Sequence, residues 1–319
     1  METIVIGIDI GGTNTEFGIV TEKGNIHNRR KIRTCDYPDI QDFVDELASQ
    51  IKQMLKDFEA SCSFIGIGIG APNGNIFTGA IEFAPNLNWK GTVPLVDLLK
   101  AHFDTNIFLT NDANAAAIGE KIYGGAKNMS DFILITLGTG LGSGFYANGK
   151  LIYGHDGFAG ELGHTIYDPT GRQCGCGKLG CLETYVSAPG IVRTLREALQ
   201  TSDMTSSLRN INIDDISSKD IFLAAQNGDV IALEAFDYTA KILGMKLSDA
   251  VAITSPEAIF LFGGLANAGD LLLLPIKKYM EEYLLPVFRG KVKLLQSELP
   301  ENSAAILGAA ALVFENLKS

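Results

Sequence analysis

The sequence predicts an α/β protein of two similar halves, and three observations carry that reading. An apolar strand, a glycine turn and a returning strand occupy Thr3–Thr21. The same succession recurs from Phe132, with glycines running through Gly138–Gly144. Between and after these units, apolar residues recur at spacings of three and four, as in helices that bury one face.

Taken in order, Thr3–Asp9 is a short apolar strand, Gly11 and Gly12 turn the chain, and Glu16–Thr21 returns. Ile40, Phe43, Val44, Leu47, Ile51, Met54, Leu55 and Phe58 predict an amphipathic helix over Ile40–Phe58. Phe64–Ile69 and Ile107–Thr110 read as buried strands, the second running into Asn111–Asp112 and an alanine-rich helix, Ala113–Tyr123. Phe132–Leu137 opens the second unit, and Asn148–Gly149 supplies a hairpin turn. A long loop, Gly154–Cys181, follows. Helical patterns return at Pro189–Leu199, Ile221–Gln226 and Ile231–Ile253. A strand, Ala258–Phe262, ends in Gly263–Gly264, and helices close the chain at Leu271–Tyr283 and Ser303–Leu317. No Pro/Ser-rich linker separates the halves, so the expected lobes share a cleft and a tight hinge.

Composition narrows the function. With 46% hydrophobic and 20% charged residues, the 319-residue chain can bury large cores. A net charge of −11 argues against nucleic acid as a partner, which needs a basic footprint. It does not argue against a phosphate ligand held by backbone N–H groups and a metal ion. No run of about 18 apolar residues exists to span a membrane, and no basic segment precedes the first apolar run, so a cytoplasmic protein is expected. Three of the five cysteines crowd between Cys174 and Cys181, a pattern of metal binding rather than of disulfides.

That cluster is the sharpest local signal. His164 precedes Cys174-Gly-Cys176-Gly-Lys-Leu-Gly-Cys181, so four soft ligands lie on a glycine-rich loop that can turn them toward one point. A closed Cys₃His set predicts a structural zinc ion, with Zn–S near 2.3 Å. The plain alternative is three reduced thiols beside an unrelated histidine. Glu161 and Glu183 are tethered to the two ends of this loop, where carboxylates can accept hydrogen bonds from neighbouring sugar hydroxyls. Either one alone reads as a solvated surface group.

The turn Asp9-Ile-Gly11-Gly12-Thr13-Asn14 and the turn Gly138-Thr139-Gly140-Leu-Gly142-Ser143-Gly144 let backbone amides approach phosphate oxygens. Asp9 stands where a carboxylate can hold Mg²⁺, usually through water. Each turn alone is an ordinary hairpin signal; the pair suggests a clamp on one phosphate chain. A dinucleotide fold is a poor match, because the first glycines lead to a strand and not a helix, and no Walker A loop exists. At the helix start, Asp112 reads either as an N-cap or as the base for an attacking hydroxyl. As a base it is expected to be weak, its pKa lowered by the helix N-terminus. The glycine turns lie elsewhere in the chain from the metal loop, so losing the metal is expected to disturb the sugar side far more than the phosphate side.

These motifs together resemble the ROK family of sugar kinases and sugar-responsive repressors. The resemblance rests on Asp9–Thr13 (DIGGT), Asn111–Asn114 (NDAN), Leu137–Gly144 (LGTGLGSG), Gly160–His164 (GELGH) and Cys174–Glu183 (CGCGKLGCLE). It implies an actin-like ATPase (ribonuclease H-like) fold of two α/β lobes with a central cleft. The expected lobes are 1–111, joined by the C-terminal helix 303–319, and 112–302, which carries the zinc loop 160–183. It implies that Asp112 is the catalytic base, and that Asn111, Glu161, His164 and Glu183 contact the sugar together with Gly74 and Asn86. It also implies that Asp9, Gly11, Gly12, Thr13, Asn14, Gly138, Thr139, Gly140, Gly263 and Gly264 embrace MgATP, and that His164, Cys174, Cys176 and Cys181 bind zinc. The chain departs from the family pattern at Asn73, where many members have glycine, and at Glu16, where some have a basic residue.

The implied reaction is transfer of the γ-phosphoryl group of ATP to a hexose 6-hydroxyl by a homodimeric enzyme, with glucose the first substrate and an N-acetylhexosamine or fructose the alternatives. A repressor is disfavoured, because the DIGGT turn begins at residue 9 and leaves no room for a helix-turn-helix module. An actin-like filament protein would keep the phosphate turns but would not need the acidic groups around a metal loop.

Overall fold

The computed structural model describes residues 2–58 and 62–318. Met1, 59–61 and Ser319, which fall within the expected first lobe, lie outside the described residues.

The first strand, β1 (Glu2–Ile10), is followed by β2 (Thr15–Thr21), β3 (Ile26–Ile32), α1 (Ile40–Asp57) and β4 (Cys62–Gly70). A two-stranded ribbon of β5 (Ile81–Glu82) and β6 (Thr92–Val93) precedes α2 (Leu95–Lys100), β7 (Asn106–Thr110) and α3 (Asp112–Ile122). The sheet order is β3-β2-β1-β4-β7, with an antiparallel meander on one side and parallel strands on the other.

The second sheet repeats this plan. β8 (Phe132–Leu137), β9 (Leu141–Ala147) and β10 (Lys150–Leu151) form the meander. Helices α4 (Glu183–Val186), α5 (Ala188–Thr201), α6 (Ser218–Gln226) and α7 (Val230–Thr254) intervene before β11 (Ala258–Phe262). Then α8 (Asp270–Tyr283), β12 (Lys293–Gln296) and α9 (Ala304–Lys318) complete the chain. The order β10-β9-β8-β11-β12 matches the first sheet strand for strand. The duplication expected from two strand–glycine turn–strand units is thus borne out, and it extends to the parallel strands that the sequence showed less clearly.

Local chemistry accounts for the boundaries. Asp39 caps α1 by accepting from the amide of Gln41 at 2.7 Å, and Phe43, Val44, Leu47, Ile51 and Met54 make the buried face. Asn148 and Gly149 take φ of 53° and 76°, the paired positive values of a tight hairpin turn. Two edge strands escape the sequence pattern, as does the short ribbon of β5 and β6. β3 carries His27, Arg29, Arg30 and Lys31 along a sheet edge, where charge blunts further pairing, and β12 is the opposite edge of the second sheet.

α9 packs on the first sheet through its small residues. A methyl placed on Gly68 of β4 would stand 1.8 Å from the Ala309 carbonyl oxygen, so helix and sheet meet backbone to backbone. α3 lies between the two sheets: Gly308 of α9 meets the Ala115 carbonyl, while Gly142 and Gly144 of β9 meet Ala113 and Ala117. This crossing sets the N-terminus of α3 at the junction of both sheets.

Candidate active site

β7 delivers the chain to Asn111, whose Oδ1 accepts from the Asn114 amide at 2.6 Å and caps α3. Asn111, not Asp112, is therefore the cap. Asp112 is the first residue of the helix and accepts from the amide of its neighbour Ala113 at 2.8 Å. The expected lowering of its pKa is also reversed. Desolvation raises the Asp112 carboxyl, and the amides of the helix start offset this only in part. Asp112 keeps exposed area nonetheless, because a side chain lining a cleft can touch water without being surrounded by it.

On one side of Asp112 stands the first glycine turn. Gly11 donates to the Asn14 carbonyl at 2.9 Å, and Thr13 accepts from the Cys35 amide. Gly12 backs onto Asn86, whose carbonyl oxygen lies 2.3 Å from where a Cβ would be, so Asn86 adjoins this turn. Asp9 is pushed up to about 7, first by burial and then by Asp112 and Glu16. Gly70, at the end of β4, faces both groups: a Cβ there would lie 4.0 Å from Asp9 Oδ1 and 3.8 Å from Asp112 Cα. Glu16 is held below the usual carboxylate range by its hydrogen bond to Arg29, with Lys31 3.4 Å away.

The second turn closes through Gly138 donating to the Gly140 carbonyl at 3.1 Å. Gly263 packs on Leu137, and Leu265 donates to the Leu137 carbonyl at 3.1 Å, which brings Gly263–Gly264 beside this turn. Gly74 abuts the Thr110 carbonyl, directly before Asn111.

On the other side of Asp112 lie the metal-loop carboxylates. Glu161 is raised mainly by desolvation, with His164 opposing and Asp112 and Glu183 adding to the rise. His164, Cys174, Cys176 and Cys181 offer ligand atoms all within 4.8 Å of one another. Cys174 Sγ lies 3.7 Å from His164 Nδ1, and Cys176 Sγ 3.6 Å from Cys181 Sγ. Nδ1 is the nitrogen turned to the thiols, which leaves Nε2 for another contact. These four residues form a cluster able to bind a metal.

Two features went unread in the sequence. The first is that the metal loop and the second glycine turn are in contact. Glu183 Oε1 lies 3.0 Å from Cys174 Sγ, while Oε2 accepts from the Leu141 amide at 3.4 Å. Ala188, just beyond, donates to the Gly138 carbonyl at 2.9 Å. The expectation that the phosphate turns stand apart from the loop is corrected: short helices α4 and α5 fold the loop's C-terminal end back onto the turn. Arg172, buried in the loop, reinforces this by donating to the carbonyls of Thr184 and Gly190 at 2.8 and 3.1 Å.

The second is an open cavity of about 520 Å³ beside Thr139, lined by Ala188, Pro189, Val192, Arg193, Arg196 and Ser218. The sequence shows only an amphipathic helix there. The signal that could have found it is Pro189 at the helix start, which places a flat apolar ring next to the glycine turn. The departure at Asn73 also has a physical reason. Its φ is 52°, a left-handed value that glycine takes freely and asparagine tolerates best among other residues.

The sequence profile described as the ROK family matches residues 5–316. The glucokinase of Thermotoga maritima is 35% identical over 317 residues, covering 98% of both chains. The xylose repressor of Bacillus spizizenii is 32% identical over 98% of this chain and 77% of its own length. Among solved structures, a ROK family glucokinase from Streptomyces griseus in complex with glucose and AMPPNP superposes with a TM-score of 0.80. It shares 34% identity and covers 98% of this chain and 99% of its own.

Proposed function

Because this chain belongs to the ROK family, we propose that it is an ATP-dependent hexose kinase that phosphorylates glucose at its 6-hydroxyl. The observation that carries the reading is the position of Asp112. It lies with Asp9 of the first glycine turn around Gly70 on one side, where a Cβ would stand 3.8 Å from Asp112 Cα and 4.0 Å from Asp9 Oδ1. On the other side its charge raises Glu161 of the metal loop. A hydroxyl placed at Asp112 by Glu161, Glu183, His164 Nε2 and the Asn111 amide would face a phosphate chain lying on the glycine turns.

In the step itself the sugar oxygen attacks the γ-phosphorus, the bond to the β-γ bridging oxygen breaks, and ADP departs. Asp112 takes the hydroxyl proton. Its raised pKa makes it a better base than an ordinary aspartate, although this loose transfer needs positioning more than early proton removal. Glu161 and Glu183 accept hydrogen bonds from the remaining hydroxyls and hold the reacting one in line. Amides of both glycine turns bind the phosphates, and the Pro189 and Val192 cavity next to Thr139 takes the nucleoside. Mg²⁺ would be held near Asp9 and would neutralise phosphate charge.

Zinc is the metal in this reading of the cluster. With bonds of about 2.3 Å to sulfur and about 2.05 Å to nitrogen, a tetrahedron has S–S edges of about 3.8 Å and S–N edges of about 3.5–3.6 Å. Cys176 and Cys181 Sγ are 3.6 Å apart and Cys174 Sγ and His164 Nδ1 3.7 Å, in a set whose atoms all lie within 4.8 Å. His164, Cys174, Cys176 and Cys181 would fill all four positions, so the ion orders the loop and takes no part in the transfer. The lobes are 1–111 with 303–319, and 112–302. The enzyme works as a cytoplasmic homodimer without nucleic acid, a reading supported by the −11 net charge and by the family resemblance. No helix among the described residues is long and apolar enough to cross a membrane.

The test is a coupled assay of ADP release with glucose, mannose, fructose, N-acetylglucosamine and N-acetylmannosamine. The highest kcat/KM should fall on glucose. A chain that bound glucose but turned over none of the five would overturn the enzymatic reading.

A further inference from the structure

Glu161 is the centre of a three-residue turn. Its φ of −77° and ψ of 53° are those of an inverse γ-turn, and the Leu162 amide donates back to the Gly160 carbonyl at 2.8 Å. That single bent hydrogen bond is a weak device for aiming a carboxylate across a cleft. The turn has a second support from outside. Ser143, buried on β9, donates its hydroxyl to the Gly160 carbonyl and accepts from the Leu162 amide at 3.2 Å. One oxygen thus bridges both ends of the turn, and the residue between them is Glu161.

Other bonds hold the segment after the turn, with the His164 amide donating to the Glu161 carbonyl at 3.1 Å and the Thr165 amide to the Leu162 carbonyl at 3.0 Å. Ser143 is the side chain that ties the two ends of the turn together. Gly160 sits at φ 95°, and a Cβ there would meet the Ser143 carbonyl oxygen at 3.1 Å, so this backbone lies directly on β9. Ser143 in turn pairs with Ile135 in the middle of the β8–β9 ladder, a rigid support. Among the described residues no side-chain hydrogen bond fixes the Glu161 carboxylate, and His164, Asp112 and Glu183 act on it through charge.

We propose that Ser143 is a positioning residue for the reaction, setting the direction of Glu161 and thereby the affinity for the sugar. The inference rests on the reading of Glu161 as a sugar contact. Ser143 touches neither substrate; it acts through the turn. Because it stands on the strand that leaves the second glycine turn, one continuous segment presents the phosphate amides and aims a sugar carboxylate.

A double-mutant cycle tests this with purified full-length protein, Ser143→Ala, Glu161→Gln and the double variant. In the wild-type background Ser143→Ala should raise the KM for glucose about five- to tenfold, with the KM for ATP changed less than twofold. In the Glu161→Gln background the same substitution should change the glucose KM less than twofold, because there is no carboxylate left to aim. Equal effects in both backgrounds, or an equal rise in both KM values, would mean a general structural loss and overturn the proposal. If Glu161→Gln alone leaves the glucose KM unchanged while the wild type phosphorylates glucose, the reading of Glu161 fails first and takes this inference with it.

Discussion

The Leu141 amide donates to Glu183 Oε2 at 3.4 Å, while Oε1 of the same carboxylate lies 3.0 Å from Cys174 Sγ. One side chain therefore touches the metal cluster and the second glycine turn at once. A disturbance of the cluster cannot be confined to the sugar side.

Removing the metal should accordingly impair both substrates. Cys176→Ser is expected to lose the bound ion and to raise the glucose KM more than tenfold, since freeing even a few loop residues costs about 1–2 kcal/mol each. The ATP KM should rise as well, by about three- to tenfold, through the lost Glu183 anchor. Elemental analysis with kinetics for both substrates checks this. An ATP KM unchanged in metal-free protein would show that the Leu141 contact carries no coupling.

Asp112→Asn should cut kcat by about 10²–10⁴ while leaving glucose binding within a fewfold of wild type. Asn111 caps α3, so the substitution does not remove the cap, and the helix should survive. The thermal midpoint should therefore not fall, and, because desolvation raises the Asp112 carboxyl, it should rise somewhat at alkaline pH. A variant with half the wild-type kcat would refute Asp112 as the base.

Asp9 gives a pH dependence whose sign can be worked out. Unfolded, its carboxyl loses its proton near 4; in the ligand-free fold it keeps it up to about 7. The folded protein then binds more protons between those values, so this group's contribution to stability falls as pH rises from about 4 to about 7 and is flat above. Asp9→Asn should raise the midpoint at pH 8 by about 2–5 °C and make no difference at pH 4. It should also weaken ATP use, so the carboxylate is kept at a cost in stability. Identical midpoints at pH 8 would contradict the buried charge.

Gly308→Ala should destabilise the protein even though alanine favours helix. The propensity gain is at most about 1 kcal/mol. Against it, the new Cβ would stand 2.4 Å from the Ala115 carbonyl oxygen, and overpacking of this kind costs about 1–3 kcal/mol. Urea unfolding of the variant measures the balance. A higher midpoint would mean that α3 and α9 have room to separate.

The sheets were legible where burial writes an apolar run, as in Phe132–Leu137 and Ala258–Phe262, and the glycine turns marked the duplication. β3 was not, because an edge strand full of Arg and Lys has the pattern of a solvated loop. In the site, the thiol cluster was readable since its ligands crowd in sequence. The choice between cap and base for Asp112 stayed open in the sequence because Asn and Asp both cap well, and only geometry shows that Asn111 reaches the Asn114 amide. The pKa of Asp112 failed for a related reason: a helix N-terminus is visible in sequence, whereas the walls that desolvate it come from other segments. Contacts such as Ser143 to Gly160, or Glu183 to Leu141, join residues whose types are too ordinary to flag.

The seating of α9 on the first sheet bears on how the protein is made. Gly68 of β4 meets Ala309, and Gly7 of β1 meets Ile306 and Ala310, so that sheet's cover is synthesised after the whole second sheet. During translation, strands β1, β4 and β7 must wait with one apolar face bare while the later half folds. Closure of the first sheet by α9 is a contact between distant parts of the chain, the kind that slows folding and leaves apolar surface bare until it forms.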